Sequence, residues 1–511
     1  MLIFFLSRIS ILRIKSFIDK RGDPLAASNI TLTTTLIFIA HWAVIIGLSV
    51  RVIMRRRPVG VSLAWLAVIF SVPLVGALTY LLIGENRVGE KYLKRAAKIH
   101  DLYTKWQREL EKQASHAPVA GVEKARSLQR HAQTVLGFPA MGGNRIRLMH
   151  DFESVFRSII ADVDRARTTC HFEFYIWEAG GMADQVAEAL IRAAGRGVIC
   201  RVLVDAVGSK KFLKSDLARR LRDSGVWLVA SMPVGILKMP MTRVDLRNHR
   251  KIVVIDGEIA YTGSQNMVDP RFFKQDEGVG QWVDAMMRLE GPCVEALGGI
   301  FLESWELDTG EGLESLEATS GVHAAGEKGG SVVQVVPSGP ALRPEAIHQL
   351  LLTAIYLARR ELVITTPYFV PDDALLTALI SAAHRGVDVT VVVPLRVDSR
   401  LVRFASRSLF DDLLSAGVRI AEFRGGLLHT KSITMDGETC VFGSVNLDMR
   451  SLWLDFEISL FIYDRESVEQ VRAMQAGYIE DSEIMELDQW RSRSRFQRFV
   501  ENTAHLVGPL L

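Results

Sequence analysis

The chain has 511 residues, too many for one ordinary domain, and with 49% of them apolar it holds material for two or three cores. A formal net charge of +3 is small for that length and argues against a general nucleic-acid coat, which needs a strong basic excess. The four cysteines (Cys170, Cys200, Cys293, Cys440) stand far apart in strand-like apolar surroundings. Their spacing fits neither a disulfide framework nor a metal site, so buried free thiols are expected.

Residues 1–30 form a leader in which apolar Met1–Leu6 precedes Arg8, Arg13, Lys15, Lys20 and Arg21, the reverse of a secretory signal peptide. An interfacial segment and a loose tail both fit it. Residues 31–84 predict two transmembrane helices. Residues 32–50 carry no Asp, Glu, Lys or Arg, and about 19 helical residues rise roughly 28 Å, enough for a bilayer core. Arg51 and Arg55-Arg56-Arg57-Pro58 stop that run, and residues 59–83 are again uncharged. Two such runs joined by a basic turn predict a helical hairpin, with leader and body on one side. The positive charges of the leader and of Arg87, Lys91, Lys94, Arg95 and Lys98 outnumber the turn's arginines, which are denser; the totals favour a cytoplasmic body. Residues 85–143 form a polar connector whose basic residues either touch anionic headgroups or make a solvated helix face.

From residue 144 the pattern is α/β and runs twice. The first repeat, 144–307, has a strand at 170–177, a helix at 183–194 ended by Gly195-Arg196-Gly197, a strand at 198–204 and a short apolar segment at 224–229. The second repeat, 332–483, matches it with 362–370, 374–383, the stop at His384-Arg385-Gly386, 387–393 and 416–420. Alternating strands and helices predict an α/β fold with a mixed, mostly parallel sheet under helical cover, in two tandem repeats packed with pseudo-twofold symmetry. Residues 308–331, rich in Gly, Glu, Ser, Thr and Ala, read as a linker. Residues 484–511 read as an amphipathic helix with Arg491, Arg493, Arg495 and Arg498, either packed on the body or lying on the membrane.

Each repeat closes on one stretch. His249-Arg250-Lys251 through Asp256-Gly257-Glu258 to Gly263-Ser264-Gln265-Asn266 recurs as His429-Thr430-Lys431 through Asp436-Gly437-Glu438 to Gly443-Ser444-Val445-Asn446. Both copies read H-x-K-x4-D-G-E-x4-G-S-x-N. Strand alternation puts His249 and Lys251 on one face, as it does His429 and Lys431, and Asp-Gly is a tight-turn signal. Small residues at Gly263-Ser264 and Gly443-Ser444 let backbone amides and the Ser and Asn side chains approach a ligand. An ammonium favours phosphate oxygens, and imidazole serves as nucleophile, base or acid. Two-step displacement at phosphorus needs one imidazole to attack and another to protonate the leaving oxygen. A pseudo-twofold arrangement brings both to one phosphate. No cofactor or metal is required.

These residues resemble the phospholipase D superfamily. Asn248–Asn266, Lys431–Glu457, Thr366-Pro367-Tyr368-Phe369-Val370-Pro371-Asp372 and the Pro509-Leu510-Leu511 ending resemble bacterial cardiolipin synthases of the phospholipase D type. The resemblance implies a membrane enzyme of the bacterial cell (inner) membrane that transfers a phosphatidyl group between two phosphatidylglycerol molecules, giving cardiolipin and glycerol. It implies that His249 attacks phosphorus and His429 protonates the leaving glycerol. Lys251 and Lys431 then hold the phosphoryl oxygens, with Ser264, Asn266, Ser444 and Asn446 beside them. Asp256 and Asp436 belong to the motif, though a turn position points to an orienting role. The superfamily pattern assigns Glu457 as a histidine-orienting carboxylate and, by matching Gln281–Ala285 against it, Asp284 for His249, with Glu277 a competitor. The alternatives are a membrane phospholipase D or phosphatidylserine synthase with another acceptor, and an inactive scaffold.

Overall fold

A computed structural model describes residues 24–55, 59–85, 89–113, 123–233, 243, 245–340 and 344–506, and divides into an N-terminal helical unit and a large catalytic unit. The leader before residue 24 and the Pro509-Leu510-Leu511 ending lie outside the described residues.

In the N-terminal unit, α1 (Pro24–Met54) contains the apolar stretch Leu32–Met54, 23 residues of mean hydropathy 2.2. At about 1.5 Å per residue it extends roughly 35 Å, long enough to cross a bilayer. Its Leu36, Ile37, Ile39, Ile46 and Ile53 side chains point outward.

The second uncharged run departs from expectation. It forms two short helices, α2 (Val59–Ser71) and α3 (Pro73–Ile83), which fold back on each other. Trp65 and Tyr80 bring their ring centroids within 5.3 Å, whereas one straight helix would separate them by about 22 Å. Pro73 lacks the N–H that would continue the helix, and its ring crowds the preceding turn. Gly76 permits the fold, because a Cβ there would lie 2.5 Å from the Val68 carbonyl oxygen. The bend returns Glu85 to Arg51, which donates to it twice at 2.6 and 2.8 Å, while Tyr80 Oη donates at 2.8 Å. The expectation of two continuous spans is therefore corrected to one span-length helix and a folded helix pair. The inference that leader and body share a side, which rested on two spans, loses its footing.

The catalytic unit is built on one sheet of fifteen strands. The first repeat supplies β1 (Ala140–Met149), β2 (Thr169–Phe174), β3 (Ile199–Asp205), β4 (Trp227–Ser231), β5 (Lys251–Ile255), β6 (Ile259–Gly263) and β7 (Met286–Glu290). The second supplies β8 (Ser331–Ser338), β9 (Glu361–Thr365), β10 (Asp388–Pro394), β11 (Arg419–Phe423), β12 (Ser432–Met435), β13 (Thr439–Gly443), β14 (Glu457–Ile462) and β15 (Ser482–Ile484). The order across the sheet is β15-β11-β10-β9-β12-β13-β14-β8-β1-β7-β6-β5-β2-β3-β4. It reads alike outward from the central antiparallel pair β1/β8, as a twofold relating the repeats requires.

Only β2-β3-β4 and β9-β10-β11 pair in parallel; every other neighbour pair in this sheet is antiparallel. The expected mostly parallel sheet is thus corrected. The crossover helices α6 (Phe152–Arg165), α7 (Met182–Gly195), α9 (Ala346–Leu357) and α10 (Asp373–His384) serve the parallel thirds. The Asp-Gly hairpins and the strands that follow them build the antiparallel remainder.

One apolar cluster joins the repeats: Ile252, Val254, Met287 and Leu297 from the first pack with Val333, Val363, Phe442 and Leu460 from the second. The expected linker is packed structure. The helix α8 (Cys293–Thr309) runs into it, Leu313–Thr319 is helical, and the Ser320 carbonyl oxygen lies 2.6 Å from His171 Nε2. The four cysteines are buried and unpaired. The C-terminal segment forms two helices rather than one, described below.

Candidate active site

Each His-Lys pair stands at the start of a hairpin. His249 leads into β5 and His429 into β12, and alternation sends His and Lys to the same face. Asp256 and Asp436 occupy the tight turns at the opposite ends of these strands, with φ of 52° and 56°. Each lies seven positions along extended chain from its histidine, a distance on the order of 20 Å. Asp256 accepts hydrogen bonds from the backbone N–H groups of Arg167, Thr168 and Thr169 at 2.8–2.9 Å. Asp436 does the same for Arg359, Arg360 and Glu361 at 2.7–3.1 Å. Their place among catalytic residues is corrected: each carboxylate ties a hairpin turn to the loop entering the neighbouring strand.

The two histidines find their carboxylates across the repeats. His249 Nδ1 lies 2.8 Å from both oxygens of Glu457, a second-repeat residue. His429 Nδ1 lies 2.7 Å from Asp284 Oδ1, a first-repeat residue. The expected pairing of Asp284 with His249 is therefore corrected, and Glu277 instead meets Lys274 at 3.3 Å.

Backbone pairing explains the exchange. Leu427–Leu428 pair in parallel with Trp282–Val283, and His429 N–H donates to the Val283 carbonyl at 2.8 Å. Asn248 bridges Phe456, and His249 N–H donates to the Phe456 carbonyl at 2.8 Å. Each histidine is thus stitched to the residue just before the other repeat's carboxylate.

Gly263 and Gly443 make the approach possible from below. A Cβ on them would lie 2.4 Å from the Ala285 carbonyl oxygen and 2.3 Å from that of Ile458. These small residues admit the neighbouring strand rather than a ligand. Ser264 and Ser444, expected at the phosphate, are likewise corrected to supports. Ser264 Oγ donates to Asp284 Oδ1 at 2.6 Å, and Ser444 Oγ accepts from Ile458 N–H at 2.9 Å beside Glu457.

Lys251 and Lys431 each donate to their own histidine's carbonyl, at 2.6 and 2.5 Å. One of three ammonium hydrogens is used, so both retain donors for an anion. Asn266 Oδ1 accepts from Ile176 N–H at 3.1 Å, and Asn446 Nδ2 donates to Ser451 Oγ at 3.1 Å. The Asn446 Oδ1 atom is buried and has no hydrogen-bond partner among the described residues.

Residues outside the motif complete the site. The Tyr175 ring meets His249 at 4.9 Å and has Lys251 Nζ 5.6 Å from its centroid; Trp282 packs on His429 at 4.4 Å. Tyr368 Oη donates to Asp398 at 2.8 Å, which also meets Lys274 at 3.2 Å. Tyr175 and Tyr368 follow corresponding strands of the duplication, β2 and β9, which is the signal that finds them.

The electrostatics of an enclosed cationic site follow. Burial pushes His249 well below the usual imidazole value, and the charges of Lys251 and Lys431 add to it. Burial also lowers His429, to about 4, with Asp284 opposing. Lys251 falls to about 8 and Lys431 to about 7, again from burial. The acids diverge. Burial dominates at Glu457 and pushes it well up. Burial pushes Asp284 up as well, but His429, Lys431 and the Ser264 hydrogen bond outweigh it, and its value is lowered overall. Neutral imidazoles that donate from Nδ1 leave Nε2 free for phosphorus or a proton.

A family model described as cardiolipin synthase, PLD-like domain, matches residues 159–285 and 351–476, and a phospholipase D-nuclease N-terminal model matches 43–85. The chain is 44% identical to cardiolipin synthase A of Pectobacterium carotovorum over 481 residues, 94% of this chain and 99% of that one. It is 43% identical to cardiolipin synthase A of Salmonella arizonae over the same shares. Among solved structures, phosphatidylserine synthase of Haemophilus influenzae superposes with a TM-score of 0.55 at 14% identity, covering 75% of this chain and all of that one, a likeness of fold.

Proposed function

Because the chain belongs to the cardiolipin synthase family of the phospholipase D superfamily, and is a phosphatidyltransferase on that ground, we propose that it joins two phosphatidylglycerol molecules into cardiolipin with release of glycerol. The observation that carries the mechanism is the pair of crossed imidazole–carboxylate contacts, which makes one site from two repeats. His249 Nε2 attacks the phosphorus of the first lipid. The P–N bond forms as the bond to the glycerol oxygen breaks, and His429 gives that oxygen a proton. The diester's negative charge, held by Lys251 and Lys431, favours the protonated His429 this step needs. Neutral His429 then takes the proton from a hydroxyl of the second phosphatidylglycerol, whose oxygen displaces His249 from phosphorus.

The carboxylate partners orient both rings and stabilise positive charge on them. Asn266 and Asn446 line the phosphate's position. The catalytic unit works at the surface of the bacterial inner membrane, tethered through α1, so that lipid substrates reach it without leaving the bilayer.

The test is product identity. Purified protein given phosphatidylglycerol alone is expected to yield cardiolipin and glycerol in equal amounts. Accumulation of phosphatidic acid would mean that water is the acceptor and would overturn the synthase reading.

A further inference from the structure

We propose that the helices α11 (Arg400–Ser408) and α14 (Arg495–His505) form a membrane-docking surface that lies in the plane of an anionic leaflet beside the active site. The two helices pack side by side. One side of α14 faces the body. Ala504 packs with Val370, Ala405 and Val402, and Glu501 receives Arg407 at 3.1 Å and also pairs with Arg493. Trp490, on the short helix α13 (Leu487–Arg491), is clasped between Arg493 at 3.3 Å and Arg407 at 4.5 Å from its ring centroid. The pair is therefore held rigidly.

Another stripe of α14 has no protein cover among the described residues. Phe496, Phe499 and Leu506, spaced three and seven apart, are 74%, 67% and 79% exposed. On α11, Leu401 and Phe404 are exposed as well. Arg400, Arg403, Arg495 and Arg498 are exposed on the same two helices; Arg403 lies in the field of Glu422, and Arg400, Arg495 and Arg498 make no side-chain hydrogen bond or ion pair among the described residues.

Exposed aromatic side chains among exposed arginines are the makeup of a helix that sinks its apolar face into the headgroup boundary and meets anionic lipid with its rim. A second copy fits the face poorly, since a twofold contact sets the four arginines against their equals. The placement serves the chemistry. α11 begins two residues after Asp398, which Tyr368 and Lys274 contact, and Lys274 Nζ lies 5.7 Å from the centroid of the Trp282 ring that packs on His429. The docking face borders the His429 side of the site. The contact rests on these side chains and is independent of which acceptor the enzyme uses.

The native cysteines are buried, so a single exposed cysteine can be labelled in the full-length chain. Phe499→Cys carrying an environment-sensitive fluorophore is reconstituted in vesicles of phosphatidylcholine and phosphatidylglycerol with brominated acyl chains. Asp216→Cys serves as control, on the helix Asp216–Asp223 beside β4, at the opposite end of the sheet from β11. The expected result is a blue shift and quenching at 499 and neither at 216, with the effect weakened in vesicles lacking phosphatidylglycerol. A label at 499 that stays solvent-like would overturn the proposal. So would a blue shift that grows with protein concentration and ignores brominated lipid, which would reveal a second copy as the occupant, and so would an effect indifferent to anionic lipid.

Discussion

The two half-sites share a plan and differ in their acids. Both histidines are pinned through backbone N–H to the other repeat, both donate from Nδ1 to a carboxylate from that repeat, and both have a lysine bound to their own carbonyl. Yet Glu457 is fully enclosed and burial governs it, while Asp284 is held down by His429, Lys431 and Ser264. Burial holds both imidazoles neutral, and neutral His249 is suited to attack. His429 faces the more stably ionised carboxylate, suited to hold a proton and pass it on. Duplication supplied two similar hairpins, and exchange of carboxylates between them made the halves inseparable and unequal.

The comparison can be broken at the histidines first. His249→Ala is expected to lower kcat by about 10⁴ or more, since no covalent intermediate can form. His429→Ala is expected to cost about 10²–10⁴ with phosphatidylglycerol and far less with a phosphatidyl p-nitrophenyl ester, whose leaving group needs no proton. Turnover assays with both substrates check this, and equal losses on both substrates in both variants would erase the difference between the halves.

The carboxylates come next. Glu457→Gln and Asp284→Asn should each cost about 10²–10⁴ in kcat, by analogy with other imidazole–carboxylate pairs. Double-mutant cycles should show strong coupling between positions 249 and 457 and between positions 429 and 284.

A smaller effect concerns pH. Lys431 at about 7 and Lys251 at about 8 lose their charge as pH rises, Lys431 first. In the free enzyme kcat/KM should therefore fall above pH about 7, approaching about tenfold per unit. Lys431→Arg, which stays charged, should shift that limb toward the value for Lys251 while lowering the plateau. An unshifted limb in a pH–rate profile would remove Lys431 from the account.

The smallest expected change in chemistry is at the motif aspartates. Asp256→Asn should leave kcat of the folded enzyme within about threefold while costing about 1–3 kcal/mol of stability, read by thermal unfolding. The Asp256 carboxyl lies below its ordinary value because backbone N–H bonds from Thr169, Thr168 and Arg167 outweigh burial. Its stabilisation is thus present above the unfolded value of about 3.9 and lost as pH falls toward the folded one.

Much of this was legible in the chain. The recurrence of His249 to Asn266 at His429 to Asn446 showed the duplication, the hairpins and the shared face of His and Lys, because those depend on local alternation and Asp-Gly turns. Which carboxylate serves which histidine was not legible. It depends on the two-residue contact of Leu427–Leu428 with Trp282–Val283 and on the Asn248 bridge to Phe456, which join residues about 145 and 208 positions apart. Ser264 read as a phosphate ligand because it neighbours Asn266, and only the return of β7 shows it beneath Asp284. Pro73 did stand in the uncharged run, but hydropathy counts it as tolerable, and the fold-back it permits needs Gly76 and the Glu85–Arg51 contact.

The crossed pairing is tested most directly by trapping the covalent intermediate in the two carboxylate variants. Each is mixed with the p-nitrophenyl ester, quenched and mapped by mass spectrometry. The predicted result is a phosphatidyl adduct on His249 that accumulates in Asp284→Asn, where His429 is poorly held for the second step, and that fails to form at a comparable rate in Glu457→Gln. An adduct that forms normally in Glu457→Gln and is lost in Asp284→Asn would place each carboxylate with the histidine of its own repeat and contradict the account.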